Sequence, residues 1–360
     1  MPVETELWPN FLRAIRERNI PVMMVNGRIS EKSVKTYRYL YGIWDDMLNT
    51  VSRFCMQSSI DADYISHLGA DPKKIYVTGN TKFDQTYAEV TPEDLENYKK
   101  ELGIENAYPV IVAGSTHPTE EKVLFDVFNE IIKSYPEARL VIAPRKPGRA
   151  DEISKLAKQY HWESGFRSKL LEIKGARSKY PVLLIDTIGE LGRIYSVGDV
   201  VFVGGSLIKH GGHNVLEPAA HAKPILVGPN MQNFKDSYAL LSKVGACKMI
   251  NNSAELTKEV LDIVGNDERR LQMGAASLQV IKENRGAAVR SIEYLQDLLT
   301  LTTVDSKVEA SYPTNIRNLH DEGGGRLRHG DAVIQYLYQL AHGPNTVSYT
   351  HLTLPTNSRV

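Results

Sequence analysis

Residues 199–220 read Asp199-Val200-Val201-Phe202-Val203-Gly204-Gly205-Ser206-Leu207-Ile208-Lys209-His210-Gly211-Gly212-His213-Asn214-Val215-Leu216-Glu217-Pro218-Ala219-Ala220. A short β-branched run enters a glycine-rich turn, and the turn enters a segment able to start a helix. This pattern predicts a buried strand, a ligand loop and a helix start in a parallel α/β sheet. The glycines allow a tight turn and close approach of backbone to a ligand. Asn214 stands near the helix start, where free N–H groups and the positive dipole end suit a phosphate. Glu217, one turn in, is placed to accept bonds from ribose hydroxyls. An ordinary glycine loop with a solvated glutamate would give the same letters.

The grammar repeats outward from this stretch. Short continuous apolar runs occur at Pro21–Val25, Phe54–Met56, Ile75–Val77, Val110–Ala113, Leu140–Ala143, Val182–Ile185, Val200–Val203 and Ile225–Val227. Such runs suit strands buried on both faces. Between them lie helical periods: Val123, Leu124, Val127, Phe128 and Ile131 share a face after Pro118, and Leu256, Val260, Ile263 and Val264 follow Asn252 as N-cap, with Gly265 as the stop. The expected fold class is α/β with doubly wound sheets. Residues 1–86 hold three strand candidates, 87–107 form a polar linker, and 108–300 hold a nearly complete unit. Residues 301–360 are expected to be an irregular tail outside the fold. Its Ser348–Thr356 run resembles translated sequencing-adapter sequence and is given no functional weight.

Composition narrows the function classes. Among 360 residues, 43 Lys+Arg balance 43 Asp+Glu, so bulk charge does not hold this chain to nucleic acid. Cys55 and Cys247 cannot make a disulfide framework or a four-thiolate zinc site, and both suit buried, inert thiols. No stretch reaches the roughly 20 apolar residues of a membrane span. Neither a Walker A motif nor Gly-x-Ser-x-Gly occurs. His117, His210, His213 and His221 show no zinc-protease spacing, so no metal is expected.

Two further loops follow strands of the larger unit: Pro144-Arg145-Lys146-Pro147, and Asp186-Thr187-Ile188-Gly189-Glu190-Leu191. Arginine at such an edge can clamp a phosphate. Taken singly each is a plain turn; together they favour a nucleotide site. Elsewhere, Glu4-Thr5-Glu6-Leu7-Trp8-Pro9-Asn10 puts two carboxylates before a tryptophan. Thr78-Gly79-Asn80-Thr81-Lys82-Phe83-Asp84 puts a lysine next to the linker, and Ser115-Thr116-His117 follows the first strand of the larger unit. A dipole partner and a surface lysine are the plain readings of Glu4 and Lys82.

In this order, and together with Asn26-Gly27-Arg28-Ile29-Ser30, Gly189-Glu190-Leu191, Phe202–Ser206, Gly211–Glu217 and Asn233-Phe234-Lys235-Asp236, these motifs resemble the 3-deoxy-D-manno-octulosonic acid (Kdo) transferases of lipopolysaccharide assembly. The resemblance implies a GT-B fold: two Rossmann-like domains across a cleft. It implies a metal-independent, inverting glycosyltransferase without a cofactor, moving Kdo from CMP-Kdo to a lipid A precursor at the cytoplasmic face of the inner membrane. On this resemblance Pro144, Arg145, Ile188, Gly189, Glu190, Asn214, Val215, Leu216 and Glu217 hold CMP, while Glu4 and Lys82 stabilise the transition state. Residues 1–86 become the later part of the acceptor domain and 108–300 the CMP-sugar domain. An aromatic-basic stretch, Lys35, Tyr37, Arg38, Tyr39, Tyr41 and Trp44, suits peripheral membrane contact as well as it suits a core.

The resemblance also leads to the expectation of an N-terminally truncated copy, because family members place a Gly-Glu loop bearing the general base ahead of the Glu4 motif. On that expectation the chain lacks its base and is inactive. A CMP-binding fragment without catalysis, or another GT-B nucleotide-sugar enzyme, are the alternatives.

Overall fold

A computed structural model describes residues 7–30, 33–34, 43–84, 90–172 and 180–305. The chain divides into two compact units, 1–86 with 284–360, and 87–283.

The first unit carries three parallel strands, β1 (Val22–Gly27), β2 (Val51–Met56) and β3 (Ile75–Val77), in the order β1-β2-β3. Strand side chains alternate between faces. Val22, Met24, Phe54 and Met56 pack with Leu12, Leu48 and Ile65 in one core, and Met23, Val25 and Cys55 pack with Leu298, Ile292, Tyr294 and Leu295 in another. The second group comes from the helix Ala287–Asp305. The sequence-based boundary at 300 gave this helix to the other unit; the structure ties it here. Asp84 accepts N–H bonds from Gly286 (2.5 Å) and Ala288 (2.6 Å), and Arg290 donates to the Thr78 carbonyl (2.8 Å).

The second unit holds a seven-stranded parallel sheet: β4 (Val110–Thr116), β5 (Arg139–Pro144), β6 (Ser164–Phe166), β7 (Val182–Leu184), β8 (Val200–Val203), β9 (Ile225–Val227) and β10 (Cys247–Met249). Its order is β10-β9-β8-β4-β5-β7-β6. The helix Glu120–Ser134 buries Leu124, Val127, Phe128 and Ile131 against it, and Ser253–Val264 buries Leu256, Val260 and Ile263. Asn252 caps the latter helix, accepting from Glu255 N at 2.9 Å.

Two boundaries are corrected. The stretch 87–107, expected as a linker that could hold a short helix, does carry one, Pro92–Leu102, with a Thr91–Asp94 capping box and a left-handed Gly103 at its end, but it belongs to the second unit, where Tyr98, Leu102 and Ile104 are buried. The last helix continues to Asp305, past the boundary expected at 300; residues 306–360 lie outside the described residues, as do Glu4 and residues 35–42 of the aromatic-basic stretch.

Candidate functional site

Strand order locates the site. From β4 the chain moves to β5 on one side, and later returns to lay β8 against β4 on the other. The strand order therefore reverses between β4 and β8, and open α/β sheets bind ligands at the carboxyl ends of strands around such a reversal. The loops there are Ser115–Thr119 after β4 and Gly204–Val215 after β8. The next two strands out contribute Arg145 after β5 and Ile188–Glu190 after β7. Topology thus gathers every expected nucleotide residue to one edge of one sheet.

A residue overlooked in the sequence organises that edge. Glu120 is 1% exposed. Its carboxylate accepts four backbone N–H bonds: from His117 (3.0 Å), Gly205 (2.8 Å), Ser206 (3.1 Å) and Leu207 (3.0 Å). One side chain thereby joins the loops after β4 and β8. Burial pushes its pKa up, and the four N–H bonds oppose that rise. Gly204 passes so close to β4 that a Cβ would lie 2.5 Å from the Ser115 carbonyl oxygen. Asn233, from the family-like Asn-Phe-Lys-Asp run, steadies the far side of the glycine loop, donating to the His210 carbonyl (3.1 Å) and, through its backbone N–H, to Gly211 (3.0 Å).

Asn214 and Glu217 adopt a linked arrangement. The Asn214 amide donates to Glu217 (3.1 Å), and its oxygen accepts from Leu216 N (3.0 Å). The helix they begin, Leu216–Ala220, has only five residues, so the expected dipole contribution is small. Val215 and Leu216 are buried, and their side chains serve the core. Half-buried Glu217 has its pKa raised by burial, against the Asn214 bond and the charge of Arg145. Pro144 is buried at the end of β5 while Arg145 is exposed, its N–H bonded to the Thr116 carbonyl (3.0 Å).

Ile188 is 88% exposed, and Gly189 takes φ +89°, opening the loop after β7. Glu190 is tied beneath it. Arg167, 2% exposed, donates to both Glu190 oxygens (3.0 and 3.3 Å) and to Glu101 (3.3 Å), and the Thr187 hydroxyl donates to Glu190 at 2.9 Å. Arg167 lies over the Tyr98 ring at 5.6 Å. Nothing in the sequence marked Arg167, because its partners lie on two distant segments, the helix Pro92–Leu102 and the loop after β7.

The structure also brings His117 to His210 and His213, far from it in sequence. His117, His210 and His213 place ring nitrogens within 4.8 Å of one another, and the His117 and His213 Nε2 atoms are 2.8 Å apart. The His117–His213 contact is that of two hydrogen-bonded rings. The charged groups acting on the rings are Arg145, Lys146 and Arg149, all positive.

Lys82 belongs to the first unit, on the 3-10 turn Thr81–Asp84. Asn80 accepts from Lys82 N (2.9 Å), and the Asn26 side chain accepts from Thr81 N (3.1 Å). Both cysteines are free and buried, the Cys55 thiol pushed up to about 12 chiefly by burial. Among the described residues, no helix is long and apolar enough to cross a membrane.

The comparisons with known proteins agree with this architecture. A family model described as 3-deoxy-D-manno-octulosonic-acid transferase (kdotransferase) matches residues 1–85. The 3-deoxy-D-manno-octulosonic acid transferase of Haemophilus influenzae is 31% identical over 298 residues, covering 82% of this chain and 69% of that protein. The Rickettsia typhi transferase of the same name is 28% identical, covering 82% of this chain and 60% of its own length. A bifunctional glycosyltransferase/methyltransferase of Fusobacterium nucleatum is 36% identical over 72% of this chain and 39% of its own length. Among solved structures, the C-terminal CMP-Kdo binding domain of WaaA from Acinetobacter baumannii matches 52% of this chain and 96% of that domain, with 26% identity and TM-score 0.48. The UDP-GlcNAc 2-epimerase of Neisseria meningitidis matches 80% of this chain and 72% of its own, with 15% identity and TM-score 0.50, a likeness of fold. The fold is of the GT-B class, and the chain belongs to the 3-deoxy-D-manno-octulosonic acid (Kdo) transferase family of glycosyltransferases.

Proposed function

We propose that this chain serves an inverting transfer of Kdo from CMP-Kdo to a lipid A precursor, with unit 87–283 holding the CMP and unit 1–86 with 284–305 serving the acceptor side. The observation that supports this reading is the convergence of four loops on the strand reversal between β4 and β8, in a chain of Kdo transferase ancestry. Arg145 meets the phosphate; Glu217, with Asn214, meets the ribose; exposed Ile188 lies against the base, with Gly189 and Glu190 shaping the pocket. As the bond to the sugar breaks, charge gathers on the departing nucleotide, and preorganised N–H groups with Arg145 stabilise it. Lys82 opposes charge on the donor carboxylate or the leaving phosphate. Glu4 supports the positive charge that develops at the anomeric carbon. The aromatic-basic stretch around Arg38 and Trp44 rests on the surface of the inner membrane, bringing the site to its lipid.

Calorimetry of CMP against the full chain tests the nucleotide assignment. Arg145→Ala should weaken binding by about 1.5–3 kcal/mol, the range for a hydrogen bond to a charged group. Glu217→Ala should reduce discrimination against 2′-deoxy-CMP. A chain that prefers UDP to CMP, or whose CMP affinity ignores Arg145, has a different donor.

A further inference from the structure

The histidine trio is used by nothing above. His117 follows β4, and His210 and His213 sit in the glycine loop after β8, so the three rings stand over the strand reversal itself. Ring centroids are 4.2 Å apart for His117 and His210, 5.1 Å for His117 and His213, and 5.2 Å for His210 and His213. The 2.8 Å contact between the His117 and His213 Nε2 atoms means one nitrogen carries a proton and the other accepts it. Two nitrogens bound to one zinc at about 2.0–2.1 Å in a tetrahedral site would stand further apart than this. The surroundings decide between ligands. Arg145 and Lys146 follow β5, and Arg149 lies just beyond, paired with Glu121 and Glu152. Glu120, the nearby carboxylate, has both oxygens committed to backbone N–H groups. A cluster of imidazoles acted on by Arg145 and Lys146, with its nearby carboxylate already engaged, suits an anion.

We infer that the His117–His213 pair, backed by His210, is a proton-accepting anion subsite that takes up one proton when the nucleotide's phosphate becomes a dianion. This rests on the assignment of the sheet edge to CMP. In the transfer, the bond between the sugar's anomeric carbon and the phosphate oxygen breaks, and its electron pair stays on that oxygen. The phosphate passes from a diester with one negative charge to a monoester with two. The acceptor hydroxyl releases one proton as its oxygen bonds to the sugar, and the imidazole pair takes one proton from water, so the count in solution is unchanged. An imidazolium facing the product phosphate thus supplies charge compensation that many sugar-nucleotide enzymes draw from a divalent cation. The setting of the rings fits this role. Burial lowers the pKa of both, and the neighbouring imidazoles and arginines lower it further, so the pair is neutral until an anion arrives.

The test is CMP calorimetry on the full chain at about pH 8, where the phosphate, with a second pKa near 6, is already a dianion. Titrations in Tris and in HEPES differ by the buffer's ionisation heat for each proton taken up. We expect uptake approaching one proton per CMP, falling to near zero in His117→Gln and His213→Gln, with affinity lowered roughly tenfold. The methyl ester of CMP, a diester with one charge, should bind with little uptake. Lys223, held down to about 8, also titrates in this range; it is influenced by Asp199, ahead of β8 at the opposite strand end, and is unaltered in the variants. Tight CMP binding that depends on Arg145 but carries no uptake overturns the inference, as does equal uptake in both histidine variants. So does one-to-one Zn2+ binding that needs all three histidines in a chain that takes up no proton with CMP. Absence of CMP binding, or indifference to Arg145→Ala, instead refutes the CMP assignment of the edge.

Discussion

Two loops at strand ends, Thr78–Asp84 after β3 and Gly204–Glu217 after β8, both carry polar motifs in the sequence, yet the structure uses their polar groups in different ways. After β3 several polar groups are engaged by the fold, although the buried Thr78 hydroxyl has no partner among the described residues. Asn26 holds Thr81, Asn80 donates to Gln57 (2.9 Å), and Asp84 binds the start of the helix Ala287–Asp305. Lys82 is carried on a turn fixed on both sides. After β8 the fold is held from behind by Glu120 and Asn233, so the loop presents His213, Asn214 and Glu217 around Arg145. A motif is therefore a poor guide to which of its own residues face a ligand. The hydrogen-bond partners decide, and many of those lie outside the motif.

The comparison is broken most sharply at Glu120. In Glu120→Gln an amide NH2 must face two backbone N–H donors that the carboxylate now accepts. The expected cost is about 3 kcal/mol, from lost charged bonds and buried unsatisfied donors. Thermal unfolding of the second unit should move down, and CMP affinity should fall with it. A variant that keeps both would show that the two loops hold their shape without this bridge.

Arg167 comes next. Arg167→Lys replaces a fork that reaches Glu190 and Glu101 together with a single ammonium. Because the group is buried, partial loss of the ion pairs should cost about 2 kcal/mol. If Glu190 shapes the nucleotide pocket, CMP binding weakens beyond what the stability loss explains; unchanged affinity in a folded Arg167→Lys protein would remove Glu190 from the pocket.

How much of this could be read from the letters follows from where each residue finds its partners. The central strands were legible because both faces are buried, which writes a continuous apolar run: Val200–Val203 and Ile225–Val227 match their strands. β6 and β10 were not, because they are edge strands with partly exposed side chains such as Ser164 and Lys248. The Asn252 cap was legible because its partner is three residues away. The placement of the helix Ala287–Asp305 was not, because Asp84 and Arg290 are far apart in sequence. At the site, Arg145, Ile188, Gly189, Glu190 and Asn214–Glu217 announced themselves through family motifs and loop position. Glu120 carries no mark in the sequence, because its partners are backbone N–H groups up to 87 residues away, and His117 stands 93 residues from His210 and 96 from His213.

On the other side of the comparison, Asp84→Ala should act on stability alone. Burial raises the pKa of Asp84, opposed by its two N–H bonds and by Arg290 and Arg285. Removing the carboxylate leaves the Gly286 and Ala288 N–H groups without their acceptor, at a cost of about 1–2 kcal/mol, as for a lost helix cap. Hydrogen exchange should quicken at the start of the last helix while CMP binding to the second unit is unchanged. A fall in CMP affinity would show that the two strand-end loops are energetically coupled.

The smallest effect is a pH dependence belonging to the loop after β8. His213 is held down to about 4 by burial first, and then by His117, Arg145 and His210. In the unfolded chain an imidazole titrates near 6.5. Between these values the unfolded state binds more protons than the folded state, so stability rises with pH across the window and is lost as pH falls from about 6.5 towards 4. For a half-buried ring the contribution is on the order of 1 kcal/mol once solvent screening is allowed for. Carboxylates contribute to acid unfolding over the same range, so the informative quantity is the difference between the wild type and His213→Gln. Urea unfolding at pH 7.5, 6.5, 5.5 and 4.5 should show the variant losing less stability than the wild type on the acid side. Saturating CMP should flatten the wild-type slope across this window, because an anion beside the rings raises their pKa above the unfolded value, so that below about 6.5 both states carry the proton. Parallel curves for wild type and variant would mean that His213 titrates alike in both states, and that the glycine loop, like the turn after β3, has spent its polar groups on the fold.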